Sequence, residues 1–146
     1  MFSRPFPIRV PDCDEQSWPT MTKHILIVDD DAVFAEAIGS VLRHAGYKVD
    51  IAGHFDAALK RLEGGRIDVL LTDIVMPSGV NGVALARMAR LRQPALAVVY
   101  LTGFDVPGIE REALFGMLLR KPVDQDKLIQ AIEERLASPR RIGPEQ

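Results

Sequence analysis

From Lys23 onward the chain repeats one pattern five times: a short apolar run, then a stretch with helical spacing. His24-Ile25-Leu26-Ile27-Val28 is the first run, and its continuous β-branched character suits a strand buried on both faces. Asp31 is placed to cap a helix in which Val33, Phe34, Ala37, Ile38, Val41 and Leu42 recur at helical spacing. Gly46 stands at that helix's C-terminal end. Tyr47-Lys48-Val49-Asp50-Ile51 alternates, as an edge strand does. Asp56 to Leu62 reads as a second helix, stopped by Gly64-Gly65. Ile67 to Leu71 is a further buried strand, ending at Thr72-Asp73, and Val83 to Leu91 a helix after the loop from Pro77 to Gly82. Leu96 to Leu101 is the fourth strand, ending at Thr102-Gly103. Asp105 to Phe115 is a weaker helix: Pro107 is tolerated in its first turn, but Gly108 costs roughly 1 kcal/mol relative to alanine. Met117 to Arg120 is the fifth strand and Asp124 to Leu136 a well-patterned last helix.

Five β/α units of this kind predict an α/β fold: a doubly wound, five-stranded parallel sheet with five helices covering both faces. Ligands of such sheets bind beyond the carboxyl ends of the strands, so the residues after each strand are where chemistry is expected.

At 146 residues the chain is long enough for one domain with a real core and too short for two. Its 47% hydrophobic and 26% charged residues are the mix of a soluble globular protein. A net charge of −2 gives no electrostatic case for nucleic acid or membrane as a main partner. The only candidate for a basic cluster, Arg140-Arg141 in the tail, is read as a solvated end. Cys13 is the only cysteine, which excludes an intrachain disulfide and a thiolate cluster and fits a reducing compartment. No apolar run is long enough to cross a bilayer, and Pro5, Pro7, Pro11 and Pro19 interrupt any signal-peptide core. A cytoplasmic location is therefore expected. Residues 1–22 read as a disordered leader, with Met21 an alternative start and packing of Trp18 and Phe6 on the domain the other reading. Residues 23–137 form the domain and 138–146 a flexible tail.

Asp29, Asp30 and Asp31 follow the first strand, Asp73 the third, Thr102 the fourth and Lys121 the fifth. Singly, each has an ordinary reading: Asp31 a helix N-cap, Asp29 or Asp30 a loop acid, Thr102 a strand end, Lys121 a surface lysine. Together at one crevice they would crowd carboxylates, at about 1–4 kcal/mol per like-charged pair. A divalent cation removes that repulsion, and magnesium suits a site of carboxylates and phosphate oxygens. His24, His44 and His54 fall at a strand start, inside a helix and in a loop, so zinc has little support. Carboxylates around a metal, with a hydroxyl and an ammonium opposite, make an arrangement for phosphoryl transfer.

Four segments carry a family resemblance: Ile25 to Asp31, Leu71-Thr72-Asp73-Ile74-Val75-Met76-Pro77, Val98 to Gly103, and Leu119-Arg120-Lys121-Pro122. In order and spacing, over about residues 23–137, the sequence resembles the receiver domain of two-component response regulators. The resemblance implies strand order 2-1-3-4-5, Asp73 as phosphoacceptor, and Asp30 as direct and Asp29 as water-mediated Mg2+ ligand. It also implies metal ligation by Asp73 and the Val75 main-chain carbonyl, with Thr102 and Lys121 contacting the phosphoryl group. The Lys121-Pro122 bond is expected to be cis, aiming the ammonium into the site. The implied donor is a sensor histidine kinase or histidine phosphotransfer protein; the downstream protein target is unknown, and the state is a monomer or a phosphorylation-dependent dimer.

Two departures stand out. The loop from Ser78 to Gly82 is one residue longer than the commonest form. Leu118 occupies a position where the family usually has an aromatic that turns inward on activation, so output here is expected through apolar contact at Leu118. Val75 and Phe104 flank the acceptor and cannot orient an attacking water, so slow self-dephosphorylation is expected.

Two rivals exist. A phosphatase of the haloacid-dehalogenase type would use Asp29 as nucleophile and Asp31 as acid/base. It needs a further acidic motif after the lysine and leaves the Asp73-to-Pro77 segment without a task. A receiver-like interaction module would lack the acceptor, an acid of the pair or the lysine, and none is missing. After Leu136 too little chain remains for a DNA-binding domain, so output by docking or phosphorelay is expected.

Overall fold

The computed structural model describes residues 22–75, 82–103 and 116–137. Five strands lie in this part: β1 (His24–Val28), β2 (Lys48–Ala52), β3 (Val69–Asp73), β4 (Ala97–Thr102) and β5 (Met117–Arg120). They form one sheet in the order β2-β1-β3-β4-β5, every neighbouring pair parallel. This is the 2-1-3-4-5 order expected. Four helices accompany them: α1 (Ala32–His44), α2 (Phe55–Gly64), α3 (Gly82–Arg92) and α4 (Gln125–Ala137). The helix expected over 105–115 lies outside the described residues, as do the leader, the tail, Phe104 and most of the 78–82 loop. No helix among the described residues is long and apolar enough to cross a membrane.

The continuous apolar runs are explained by burial on both faces. Leu26, Val28, Leu70, Val98 and Tyr100 point to one side, where they meet Ala58 and Leu62 of α2 and Val83, Leu85, Ala86 and Ala89 of α3. Ile25, Ile27, Val69, Leu71, Val99 and Leu101 point to the other, against Ala35, Ile38 and Leu42 of α1 and Leu128 and Ile132 of α4. Alternate residues of one strand thus serve two cores, and no polar face remains to break the run.

Element ends differ from expectation by one or two residues, and two of these differences have a visible cause. β2 starts at Lys48 rather than Tyr47 because the Tyr47 amide closes α1, donating to the Leu42 carbonyl (3.1 Å), while Gly46 donates to Arg43 (3.0 Å). This double closure needs the left-handed backbone that Gly46 adopts (φ 104°). β3 starts at Val69 rather than Ile67 because the Ile67 amide is taken by the Gln93 side chain (Oε1, 2.8 Å). The same side chain donates through Nε2 to the Leu62 and Gly65 carbonyls, both at 2.9 Å. Gln93 thereby ties the end of α2 and the entry to β3 to the end of α3. Gln93→Ala would strand these groups beside buried Ile67, so a loss of about 1–3 kcal/mol is expected from urea unfolding midpoints at unchanged slope.

Candidate functional site

Parallel strands deliver their carboxyl ends to one rim, and the chain's acids are gathered there. The Asp29 amide continues the β1 ladder by donating to the Ala52 carbonyl (3.1 Å), which leaves its side chain turned inward and 1% exposed. Asp73 ends β3 and is 8% exposed, while Asp30 is open to solvent. One carboxylate oxygen from each of Asp29, Asp30 and Asp73 lies within 4.8 Å of the other two. Residues 44 positions apart thus form one cluster.

Lys121 enters from β5. Its amide donates to the Thr102 carbonyl (2.8 Å), and its peptide bond with Pro122 is cis, as expected. The ammonium lies 2.8 Å from Asp29 Oδ2 and 3.3 Å from Asp73 Oδ2. Burial pulls the Lys121 pKa down, but hydrogen bonding and charge attraction from Asp29, then Asp73, leave it above the ordinary lysine value. At Asp73 the balance runs the other way. Burial raises its pKa; Lys121 opposes that, Asp29 adds to it, and the carboxyl stays above its usual range. A carboxylate held this way is more basic, hence a better nucleophile, than a solvated one.

The Val75 amide donates to Asp73 Oδ1 (3.2 Å), fixing one oxygen while the other faces the lysine. Thr102 closes β4, the strand between β3 and β5, and is 3% exposed at the same rim. Asp31 is the α1 N-cap: its carboxylate accepts from the Phe34 amide (3.1 Å), and its own amide donates to Asp29 Oδ1 (2.9 Å). This is the capping role that the sequence predicts for Asp31. Leu118 is not at the cluster; it lies in β5, paired in register with Tyr100 and partly exposed.

The histidines are elsewhere. The His24 ring pairs with Asp50 (2.7 Å) at the amino end of the sheet, His54 Nδ1 accepts from the Ala57 amide (3.3 Å) to cap α2, and His44 ends α1. Among the described residues the donors at the rim are therefore oxygens, three carboxylates of which two meet the Lys121 ammonium, and such a set fits a hard divalent cation.

One contact escaped the sequence reading. Phe34, assigned there to the helix's apolar face, places its ring centroid 4.3 Å from the Lys121 ammonium. Its position in the first turn after the acidic run was the available signal, but only the fold could bring residue 121 to it.

Comparison with known proteins agrees with this geometry. Residues 25–133 match the response regulator receiver domain family. The response regulator receiver protein CpdR of Brucella abortus is 34% identical over 120 residues, covering 78% of this chain and 97% of CpdR. The transcriptional regulatory protein ZraR of Salmonella typhimurium is 33% identical over 124 residues, 83% of this chain but 28% of ZraR. Among solved structures, a CheY-like receiver domain protein from Methanospirillum hungatei superposes with a TM-score of 0.75 at 28% identity, covering 81% of this chain and 96% of that one. With sheet order, acidic rim and match all in agreement, the chain belongs to the receiver domain family of two-component response regulators.

Proposed function

We propose that this chain accepts a phosphoryl group onto Asp73 from a phosphohistidine of a sensor histidine kinase or a histidine phosphotransfer protein. The supporting observation is the pair of contacts that orient Asp73: the Val75 amide on Oδ1 and the Lys121 ammonium beside Oδ2. A carboxylate oxygen of Asp73 attacks phosphorus and a P–O bond forms. The P–N bond to the donor imidazole breaks, and the ring nitrogen leaves with the electron pair. Charge is carried by the equatorial phosphoryl oxygens. Lys121 meets one of them and the Thr102 hydroxyl another. Asp29, Asp30, Asp73 and the Val75 main-chain carbonyl would hold magnesium, which would supply charge neutralisation there. The chain acts on no other substrate in this reading: it catalyses its own phosphorylation and dephosphorylation, and signals by docking to a protein target or by passing phosphate onward.

Autophosphorylated histidine kinases of the source organism, offered with magnesium, should include at least one that labels the chain rapidly. Beryllofluoride with magnesium should perturb its spectra. Silence in both assays would leave an interaction module without phosphorylation as the better reading.

Leu118 is proposed as the output contact. It is partly exposed on an edge strand, two residues along from Arg120 and in register with buried Tyr100. Leu118→Ala should weaken the phosphorylated chain's affinity for its target by about 1–2 kcal/mol in calorimetry, the scale of a lost apolar side chain. Unchanged affinity would move output elsewhere.

A further inference from the structure

We infer that Phe34 is a positioning residue for the phosphoryl-transfer reaction, holding the Lys121 ammonium through the face of its ring; this rests on the proposed role of Asp73. An ammonium has three N–H donors. In the structure Asp29 and Asp73 lie within bonding reach of Lys121, and the Phe34 ring centroid stands 4.3 Å from the same nitrogen. That separation is well inside the range in which a ring's quadrupole attracts a cation. The lysine side chain is only 20% exposed, so water screens the contact little.

The ring's own position is tightly set. Phe34 lies in the first turn of α1, its amide bound to the Asp31 cap and its side chain packed against the core that includes Ala35, Ile38 and Leu128. The run that supplies Asp29 and the cap therefore also supplies the ring, with the Asp31 amide bound to Asp29 and the Phe34 amide bound to Asp31.

Both carboxylate partners of Lys121 change during the reaction. Asp73 becomes an acyl phosphate when it accepts the phosphoryl group, and its charge moves outward to the phosphoryl oxygens. Asp29, as a ligand of a cation, has less charge to offer the lysine. Among the described residues, the ring is a contact whose strength depends on neither event. It keeps the ammonium at the rim while its hydrogen bond passes from Asp73 to the phosphoryl group. Leucine would fill much of the same space and bury a similar apolar surface, but it has no quadrupole.

Phe34→Leu and Phe34→Trp in the full chain, with a small acyl phosphate such as acetyl phosphate as donor, test this role. Phe34→Leu should label about five- to tenfold more slowly, between the exposed and the fully desolvated values for a cation–ring contact, and Phe34→Trp should restore the rate. A second readout needs neither metal nor phosphate. The Lys121 ε-methylene protons should show an upfield ring-current shift by NMR in chelator, lost in Phe34→Leu and regained in Phe34→Trp. Labelling of Phe34→Leu at the wild-type rate, or ε-methylene shifts that ignore the substitution, would overturn the inference while leaving the role of Asp73 intact. Failure of the wild-type chain to take label would instead strike the phosphoacceptor reading, with the ring-current test still deciding whether the contact exists.

Discussion

Asp73→Asn is expected to bring phosphoryl labelling from full extent to background with every donor, while the protein remains folded. Asparagine keeps the shape of the side chain and can still accept from the Val75 amide, so the end of β3 has no reason to move. What it lacks is the nucleophilic oxygen. The label on the wild-type chain should be labile to base, as an acyl phosphate is. Because a phosphatase of the dehalogenase type also forms an acyl phosphate, Asp29→Asn is the necessary companion. That variant should retain some labelling, since in the receiver reading Asp29 is not the nucleophile: it serves the metal, Lys121 and the Asp31 amide. Label surviving in Asp73→Asn and vanishing in Asp29→Asn would reverse the assignment. A second signature is expected in chelator: Asp73→Asn should be more stable than wild type, because burial and the neighbouring Asp29 both oppose the ionised carboxylate and outweigh Lys121. Thermal unfolding with and without magnesium reads this directly, and added magnesium should narrow the difference by stabilising the wild type.

Gly82→Ala is expected to damage fold and site together. Gly82 opens α3, donates its amide to the Ile74 carbonyl (2.8 Å), and lies so close to β3 that an added Cβ would collide with the Asp73 main-chain carbonyl. The Thr72 hydroxyl would be only 3.0 Å away. Backbone cannot swing aside as a flexible side chain can, so either α3 or the end of β3 must shift. Overpacking of this kind costs about 1–3 kcal/mol, and here the displaced atom belongs to the proposed phosphoacceptor. Loss of stability by urea unfolding should therefore be accompanied by weaker magnesium binding and slower labelling. Gly53→Ala is the control, because a Cβ there meets nothing within 4 Å. A Gly82→Ala protein with wild-type stability and labelling would show that β3 and α3 are not held in contact at this point.

Much of this molecule is written in local pattern. Continuous apolar runs and helical spacing located all five strands and the four helices of the described residues, because burial on both faces imposes a period that can be counted along the chain. Asp31 as a cap was legible for the same reason, being a contact across three residues. The acids, threonine and lysine were legible by position, since each directly follows or ends a strand, and parallel strands have only one carboxyl rim.

Contacts between distant segments left no such trace. Gln93 reaches back 31 residues to Leu62 and shortens β3, yet nothing around it in the sequence marks it as a staple. Phe34 reads as core until Lys121 is brought across 87 positions to its ring. Sequence alone therefore determined which elements form and which acids, hydroxyl and ammonium lie at or just beyond the strands' carboxyl ends, since those depend on periodicity. Tertiary structure alone decided which charges share a partner, how deeply Asp73 is buried, and what faces Lys121, since these depend on distances that only packing sets.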